Sequence, residues 1–309
     1  MFQTIVVGVD GRPGGRDALA FAALLQRTFG AGVIAVVAYP HDELVSRADS
    51  PAFEVAVKDE AVAALDAEIV RSGIDAGAIA VADASPPRAL HQIAEAEGAD
   101  LIVVGSDGQG PIGRVLAGDV TAGTLYASPC AVAVAPHGFA TTEPVLRAIG
   151  VGYDESTESQ RALGLARAIA EATGATLELV GVVAPLVPVG PWMVAPVTTD
   201  DSQSAEHERL EELVADAAQD VGERTRAVTV QGLPADELAA RSAELDLMVV
   251  GSRGYGPVRR VILGSTARKL VRSAACPVIV LPRGAHDPVL GRPVAAGAGM
   301  SAQPGEGDA

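Results

Sequence analysis

The stretch DLIVVGSDGQGPIGRVLAG at 100–118 returns as DLMVVGSRGYGPVRRVILG at 246–264, with twelve of nineteen positions identical and an offset of 146. Cys130 and Cys276 keep that register. Near the start, IVVGVD at 5–10 returns as IGVGYD at 149–154, and PPRAL at 86–90 returns as PADEL at 234–238. A long internal period constrains a fold more than any other sequence feature, because each copy has to adopt the same arrangement. The chain therefore reads as two copies of one domain, at 1–140 and 146–284, joined near 137–145. The 309 residues are enough for two domains of this size. The tail at 285–309, with Gly and Pro scattered among Ala, reads as disordered.

Each copy alternates short apolar runs with helical patterns. In the first, strands are expected at 4–9, 33–38, 78–82, 101–104 and 130–135, with helices at 16–29, 53–71, 87–97 and 115–126. In the second, strands are expected at 148–153, 177–183, 227–231, 247–250 and 277–281. Apolar runs without polar alternation indicate strands covered on both faces. Short connections through helices indicate right-handed crossovers in a parallel sheet. The expected fold is α/β: two tandem, Rossmann-like, doubly wound parallel sheets of five strands each. Ligands of such sheets sit beyond the carboxyl ends of the strands, where the strand order reverses. That edge holds Asp10, Asp154 and the loops that begin at Gly105 and Gly251.

Composition narrows the partners. Hydrophobic residues make up 49% and aromatics only 3%, so the core must be built from Ala, Val, Leu and Ile. A net charge of −16 argues against nucleic acid or an anionic membrane as the main partner. Two cysteines form no disulfide framework, and five histidines show no ligand spacing, so no metal site built from protein ligands alone is expected. Residues 179–197 carry no charge, but Pro185, Pro188, Pro191 and Pro196 would break a spanning helix, so they read as a strand end and a loop. The start lacks a basic region before an apolar one, and the expected location is cytoplasmic.

The glycine loops carry the chemistry. In the second copy Gly251, Ser252, Arg253, Gly254 and Gly256 leave the fourth strand, and Gly264, Ser265 and Thr266 open the next helix. Glycines at a strand exit let backbone approach a ligand, and successive amides form an anion nest. A helix N-terminus suits phosphate, with Arg253 and the two hydroxyls as further donors. The same residues also fit a purely structural set of turns and caps. Lys58 and Lys269 are the only lysines and neither follows a glycine, which excludes a P-loop. The glycines follow the fourth strand, so they are not a dinucleotide fingerprint either.

The pattern Gly251-x-x-Gly254, nine residues, Gly264-Ser265 resembles the ATP-binding signature of the universal stress protein family. The first-strand ending VGVD, Pro234 at a helix start and the final strand CPVIV from Cys276 resemble that family too. The resemblance covers about 1–137 and 146–283 and implies a tandem member whose two domains pack as a pseudo-dimer, each fifth strand near the interface. It further implies bound ATP, with Mg beside Asp154. Asp154 would lie near the ribose and the metal-bound phosphates, Val182 near the adenine, and Gly251, Gly254, Gly264 and Ser265 at the phosphates. The corresponding region of the first copy comprises Gly8, Asp10, Ala38, Gly105, Ser106, Gly108, Gly110 and Gly118. There Asp119 stands in place of Ser265, and Asp107 in place of Arg253. Two carboxylates at an anion site predict weaker nucleotide binding in the first copy.

The implied role is that of an ATP-binding sensor or regulator with little or no hydrolysis, in a tandem chain able to form a homodimer. Two other readings stay open. One is a nucleotide-independent scaffold, in which Asp10 and Asp154 only cap turns. The other is a nucleotide-cleaving enzyme, disfavoured because DGRPGG follows the first strand where such enzymes carry a Ser-Gly-Gly-x-Asp-Ser-type loop.

Overall fold

A computed structural model describes residues 1–39, 51–106, 120–185, 200–252 and 264–283. The first half runs β1 (Thr4–Gly8), α1 (Pro13–Phe29), β2 (Gly32–Tyr39), α2 (Pro51–Ser72), β3 (Gly77–Ala82), α3 (Pro86–Ala96), β4 (Leu101–Gly105), α4 (Val120–Leu125) and β5 (Ala131–Ala135). The second runs β6 (Ala148–Gly152), α5 (Thr157–Thr173), β7 (Thr176–Val183), α6 (Asp200–Val221), β8 (Thr225–Gln231), α7 (Pro234–Arg241), β9 (Leu247–Gly251), α8 (Ser265–Ser273) and β10 (Val278–Leu281).

Local chemistry sets the element ends. Helix α1 begins at Pro13, earlier than the periodicity suggests, because a proline's fixed φ suits the first helical turn. It stops at Gly30, whose φ of 70° turns its N–H onto the Gln26 carbonyl at 2.8 Å. Helix α5 begins instead on Ser156, whose side chain accepts from the Ser159 N–H, and stops at Gly174 with φ 77°.

The two expected five-stranded sheets are present and join edge to edge at their fifth strands. Ten strands lie in the order β3-β2-β1-β4-β5-β10-β9-β6-β7-β8. Every neighbouring pair is parallel except β5 and β10, which run antiparallel with Val132 opposite Val280, Ala133 opposite Ile279 and Val134 opposite Val278. The halves thus pack as a pseudo-dimer through their fifth strands. Helices α1, α2, α5 and α6 cover one face of the sheet. Helices α3, α4, α7 and α8 cover the other. Ile5, Val7, Leu101, Val103, Ile149, Val151, Leu247 and Val249 are fully excluded from water. Burying each such side chain contributes about 1.5–3 kcal/mol.

Both halves tie the start of their central strands together in the same way. Asp100 accepts from the Gln3 and Thr4 amides at 2.6 and 3.1 Å, and Asp246 from the Arg147 and Ala148 amides at 2.8 and 2.9 Å. Cys130 and Cys276 are buried at the equivalent strand entries, and burial pushes each thiol up to about 12. They are core residues, as expected. The halves differ on β7, where Glu178 is buried beneath Arg226 and Arg241. The repeat places Ile34 and Ile93 where the second half has Glu178 and Arg241. Among the described residues, no helix is long and apolar enough to cross a membrane.

Candidate functional site

Within each half the strand order reverses between β1 and β4, and between β6 and β9. The carboxyl ends of these pairs carry Gly8 with Gly105, and Gly152 with Gly251. In the second half the edge reads in the order β10, β9, β6, β7. Arg283, Ser252, Asp154 and Val182 therefore stand at successive strand ends or just beyond them. Strands are spaced about 4.8 Å apart, so this row spans about 14 Å.

The structure corrects the reason for two glycines. Gly105 and Gly251 were expected to be glycine so that a ligand could approach. A Cβ on Gly251 would lie 2.6 Å from the Glu158 Cβ and 2.8 Å from its carbonyl carbon. A Cβ on Gly105 would overlap the Gly14 carbonyl. The first turns of α5 and α1 rest directly on these strand exits, and helix packing alone excludes a side chain there. Gly8 is less restricted, because the nearest atom to its Cβ position, Leu90 Cδ1 at 3.1 Å, is the end of a side chain that can give way.

The expected anion nest is also narrower than the glycine count suggests. The Ser252 amide donates to the Leu281 carbonyl at 2.9 Å, and the Ser106 amide to the Ala135 carbonyl at 2.8 Å. The Gly264 amide donates to the Ser252 carbonyl at 2.9 Å. These three amides are spent on closing the sheet edge and cannot also hold a phosphate. The Ser252 hydroxyl accepts from the Arg283 N–H at 3.2 Å, and the residue is buried. Ser252 is thus a structural hub, fixing α8 and the chain after β10 at the end of β9.

The donors that follow from helix geometry are those of the first turn of α8. Gly264 precedes Ser265 in extended conformation and has no side chain to cap the helix. The first amides of a helix have no intrahelical carbonyl to meet. Ser265 is exposed and Thr266 half-buried, so the turn opens toward solvent. Arg253, Gly254, Gly256, Gly108, Gly110, Gly118, Asp107 and Asp119 lie outside the described residues.

Asp154 and Asp10 both turn the chain into a helix. Asp154 Oδ1 accepts from the Ser156 N–H at 3.1 Å and from the Ser156 hydroxyl. Ser156 in turn accepts from the Ser159 N–H, and the Ser159 hydroxyl receives the Asp154 N–H at 3.4 Å. Asp10 Oδ1 accepts the Arg12 N–H at 3.0 Å, Arg12 Nε lies 3.9 Å from Oδ2, and the Asp10 side chain is 58% exposed. The capping role considered for both residues is present in each. Val182 is half-buried against the α7–α8 layer and pairs with Val230, while Ala38 pairs with Val81. Each sits near the end of its half's second strand, one strand beyond the aspartate.

Sequence reasoning missed Ser156, Ser159, Glu158 and Arg283. The first two were legible, since Ser following a strand and preceding a helix is a cap signal. The last two were not. Glu158, in the first turn of α5, pairs with Arg283 Nε at 3.1 Å across 125 residues, and its side chain is 9% exposed against 57% for the arginine. No local pattern announces such a pair.

This is an α/β protein of paired doubly wound halves, with its candidate ligand edge at the strand-order reversals. The family model described as the universal stress protein family matches residues 1–136 and again 146–282. The chain belongs to the universal stress protein family. A universal stress protein of Thermus aquaticus is 34% identical over 140 residues, which covers 44% of this chain and 99% of that protein. One from Mycobacterium tuberculosis is 31% identical over 190 residues, 59% of this chain and 61% of its own length. The crystal structure of a universal stress protein from Archaeoglobus fulgidus superposes with a TM-score of 0.62 at 21% identity, covering 90% of this chain and 95% of that one. That likeness is one of fold.

Proposed function

We propose that this chain binds an adenine nucleotide, ATP with magnesium, across the carboxyl edge of its second half, and acts as a sensor or regulator rather than as a catalyst. The observation that carries this reading is the row Ser252, Asp154, Val182 on neighbouring strand ends, with α8 tethered to Ser252. A nucleotide is an elongated ligand with three chemically distinct parts. The apolar strand end at Val182 suits the base, Asp154 suits the ribose, and the first turn of α8 suits the phosphates. The motif in which Gly264 and Ser265 fall resembles the family's ATP-binding signature.

The residues fit a magnesium carried in with the nucleotide. Asp154 Oδ1 is committed to Ser156, so Oδ2 is the oxygen such an ion would meet. The ion would supply charge neutralisation of the phosphates. The protein's own part is to orient the nucleotide through α8 and the Asp154 turn.

Equilibrium dialysis with labelled ATP and magnesium tests the proposal. Ser265→Ala and Gly254→Ala are expected to weaken binding more than Gly108→Ala, and Asp119→Ser to strengthen it in the first half. No binding at millimolar ATP would favour the second reading, a nucleotide-independent scaffold. That reading has one observation in its favour: helix packing already accounts for Gly105 and Gly251.

A further inference from the structure

We propose that Arg283 is a specificity-determining residue of the second half, a fixed cation that favours nucleotides with a terminal phosphate over the monophosphate. This inference rests on the adenine-nucleotide reading above and adds a residue outside the motif.

Three observations place it. Strand β10 is the neighbour of β9 on the side away from β6, so Arg283 extends the row from Val182 through Asp154 and Ser252 at its phosphate end. Its backbone is fixed there, because its N–H donates to the Ser252 hydroxyl, and Ser252 also holds the start of α8 through its carbonyl. Its side chain is fixed as well. Nε is held 3.1 Å from Oε1 of buried Glu158, while the side chain remains 57% exposed. A guanidinium has five N–H donors in a rigid fork. Anchoring it through Nε restrains the group at the strand end while leaving further N–H donors, and lowers the entropy lost when a phosphate is bound.

The first half lacks this device. The repeat puts His137 where the second half has Arg283, and Gly14 where it has Glu158. His137 stands 3.9 Å from Asp17 and is 62% exposed. Asp17 is instead occupied by the Gly138 and Ala140 amides at 3.0 and 2.8 Å. The first half pairs a buried carboxylate with an exposed arginine elsewhere, Asp83 with Arg88 beyond β3, so the repeat does not reproduce the Glu158–Arg283 pair beside the strand-order reversal.

The experiment is calorimetric titration of the full chain with ATP, ADP and AMP in magnesium, for the native protein, Arg283→Gln and Arg283→Lys. Arg283→Gln is expected to weaken ATP binding about tenfold, the scale of one charge-assisted contact, and AMP binding less than about twofold. Arg283→Lys should recover part of the ATP preference. His137→Gln, the matched change in the first half, should leave both affinities unchanged. Arg283→Gln strands a buried carboxylate, so the double variant Glu158→Gln/Arg283→Gln provides a neutral version of the site. It should fold and show the same lost preference. An unchanged ATP-to-AMP ratio in both variants would overturn the assignment while leaving nucleotide binding standing. Absence of nucleotide binding by the native chain would instead remove the underlying reading.

Discussion

The Gly264 amide donates to the Ser252 carbonyl at 2.9 Å, which ties the start of α8 to the end of β9 across the intervening loop. Gly264 has φ −60° and ψ 148°, a conformation open to any residue, and offers no cap. Gly264→Ser should therefore add a side-chain acceptor for the first-turn amides. Stability without ligand should rise by a few tenths of a kcal/mol, roughly the gain of Ser over Gly at a helix cap. Nucleotide affinity should fall, because the serine competes for the same donors. Chemical denaturation and dialysis, read together, check the opposite signs.

Gly251→Ala is expected to destabilise the protein in the absence of nucleotide. The added methyl meets the Cβ and backbone of Glu158 at 2.6–2.9 Å, and a helix must shift to admit it. Overpacking of this kind costs about 1–3 kcal/mol. Urea unfolding without ligand checks it; an unaltered midpoint would return Gly251 to the role of ligand approach.

Glu155 holds φ 62° where the first half has Gly11 at 71°. A side chain in the left-handed region is strained, and glycine relieves that strain at some cost in unfolded-state entropy. Glu155→Gly should stabilise by about 0.5 kcal/mol, and Gly11→Ala should destabilise by a similar amount. Paired thermal melts distinguish the two directions.

The buried Glu178 group should behave as one unit. Glu178→Ala leaves Arg241, with its side chain only 22% exposed, short of its main partner, and is expected to cost about 2 kcal/mol or more. Glu178→Ile with Arg241→Ile copies the first half and should be neutral or stabilising, as apolar replacement of buried pairs often is. Arg226 then turns to solvent, where its side chain is already 64% exposed. A double-mutant cycle in urea measures the coupling.

Acid sensitivity should trace in part to Glu68. Hydrogen bonding by Arg16 holds its carboxyl below the usual range, against the opposing effect of burial, with charge from Arg16 and Arg71 adding to the lowering. A carboxyl with a depressed folded-state pKa contributes stability that is present above its unfolded pKa of roughly 4.3 and is lost as pH falls through the folded value. Glu68→Gln should therefore lower stability at neutral pH and flatten its acid dependence. Unfolding midpoints between about pH 6 and pH 3 test this.

The repeat, the alternation of strands and helices, and the reversal edge were all legible in the sequence. The repeat emerges from comparing the two halves, and the elements depend on residues close together in the chain: apolar runs such as 5–7 and 101–104, a proline opening a helix, a glycine closing one. The pattern after β9 likewise pointed to Gly264 and Ser265, because a helix start is a local event.

What the amino-acid order by itself determined is two doubly wound halves and the edge on which a ligand would lie. The tertiary structure alone decided that β5 and β10 fuse the halves antiparallel into one sheet, that Gly105 and Gly251 make room for helices, and that Ser252 spends its amide internally. It alone brought Arg283 to Glu158. The physical reason is that hydrophobic period and capping act over a few residues and leave a record in sequence. Steric fit and the satisfaction of buried polar groups depend on partners a hundred residues away, and those partners meet only when the chain is folded.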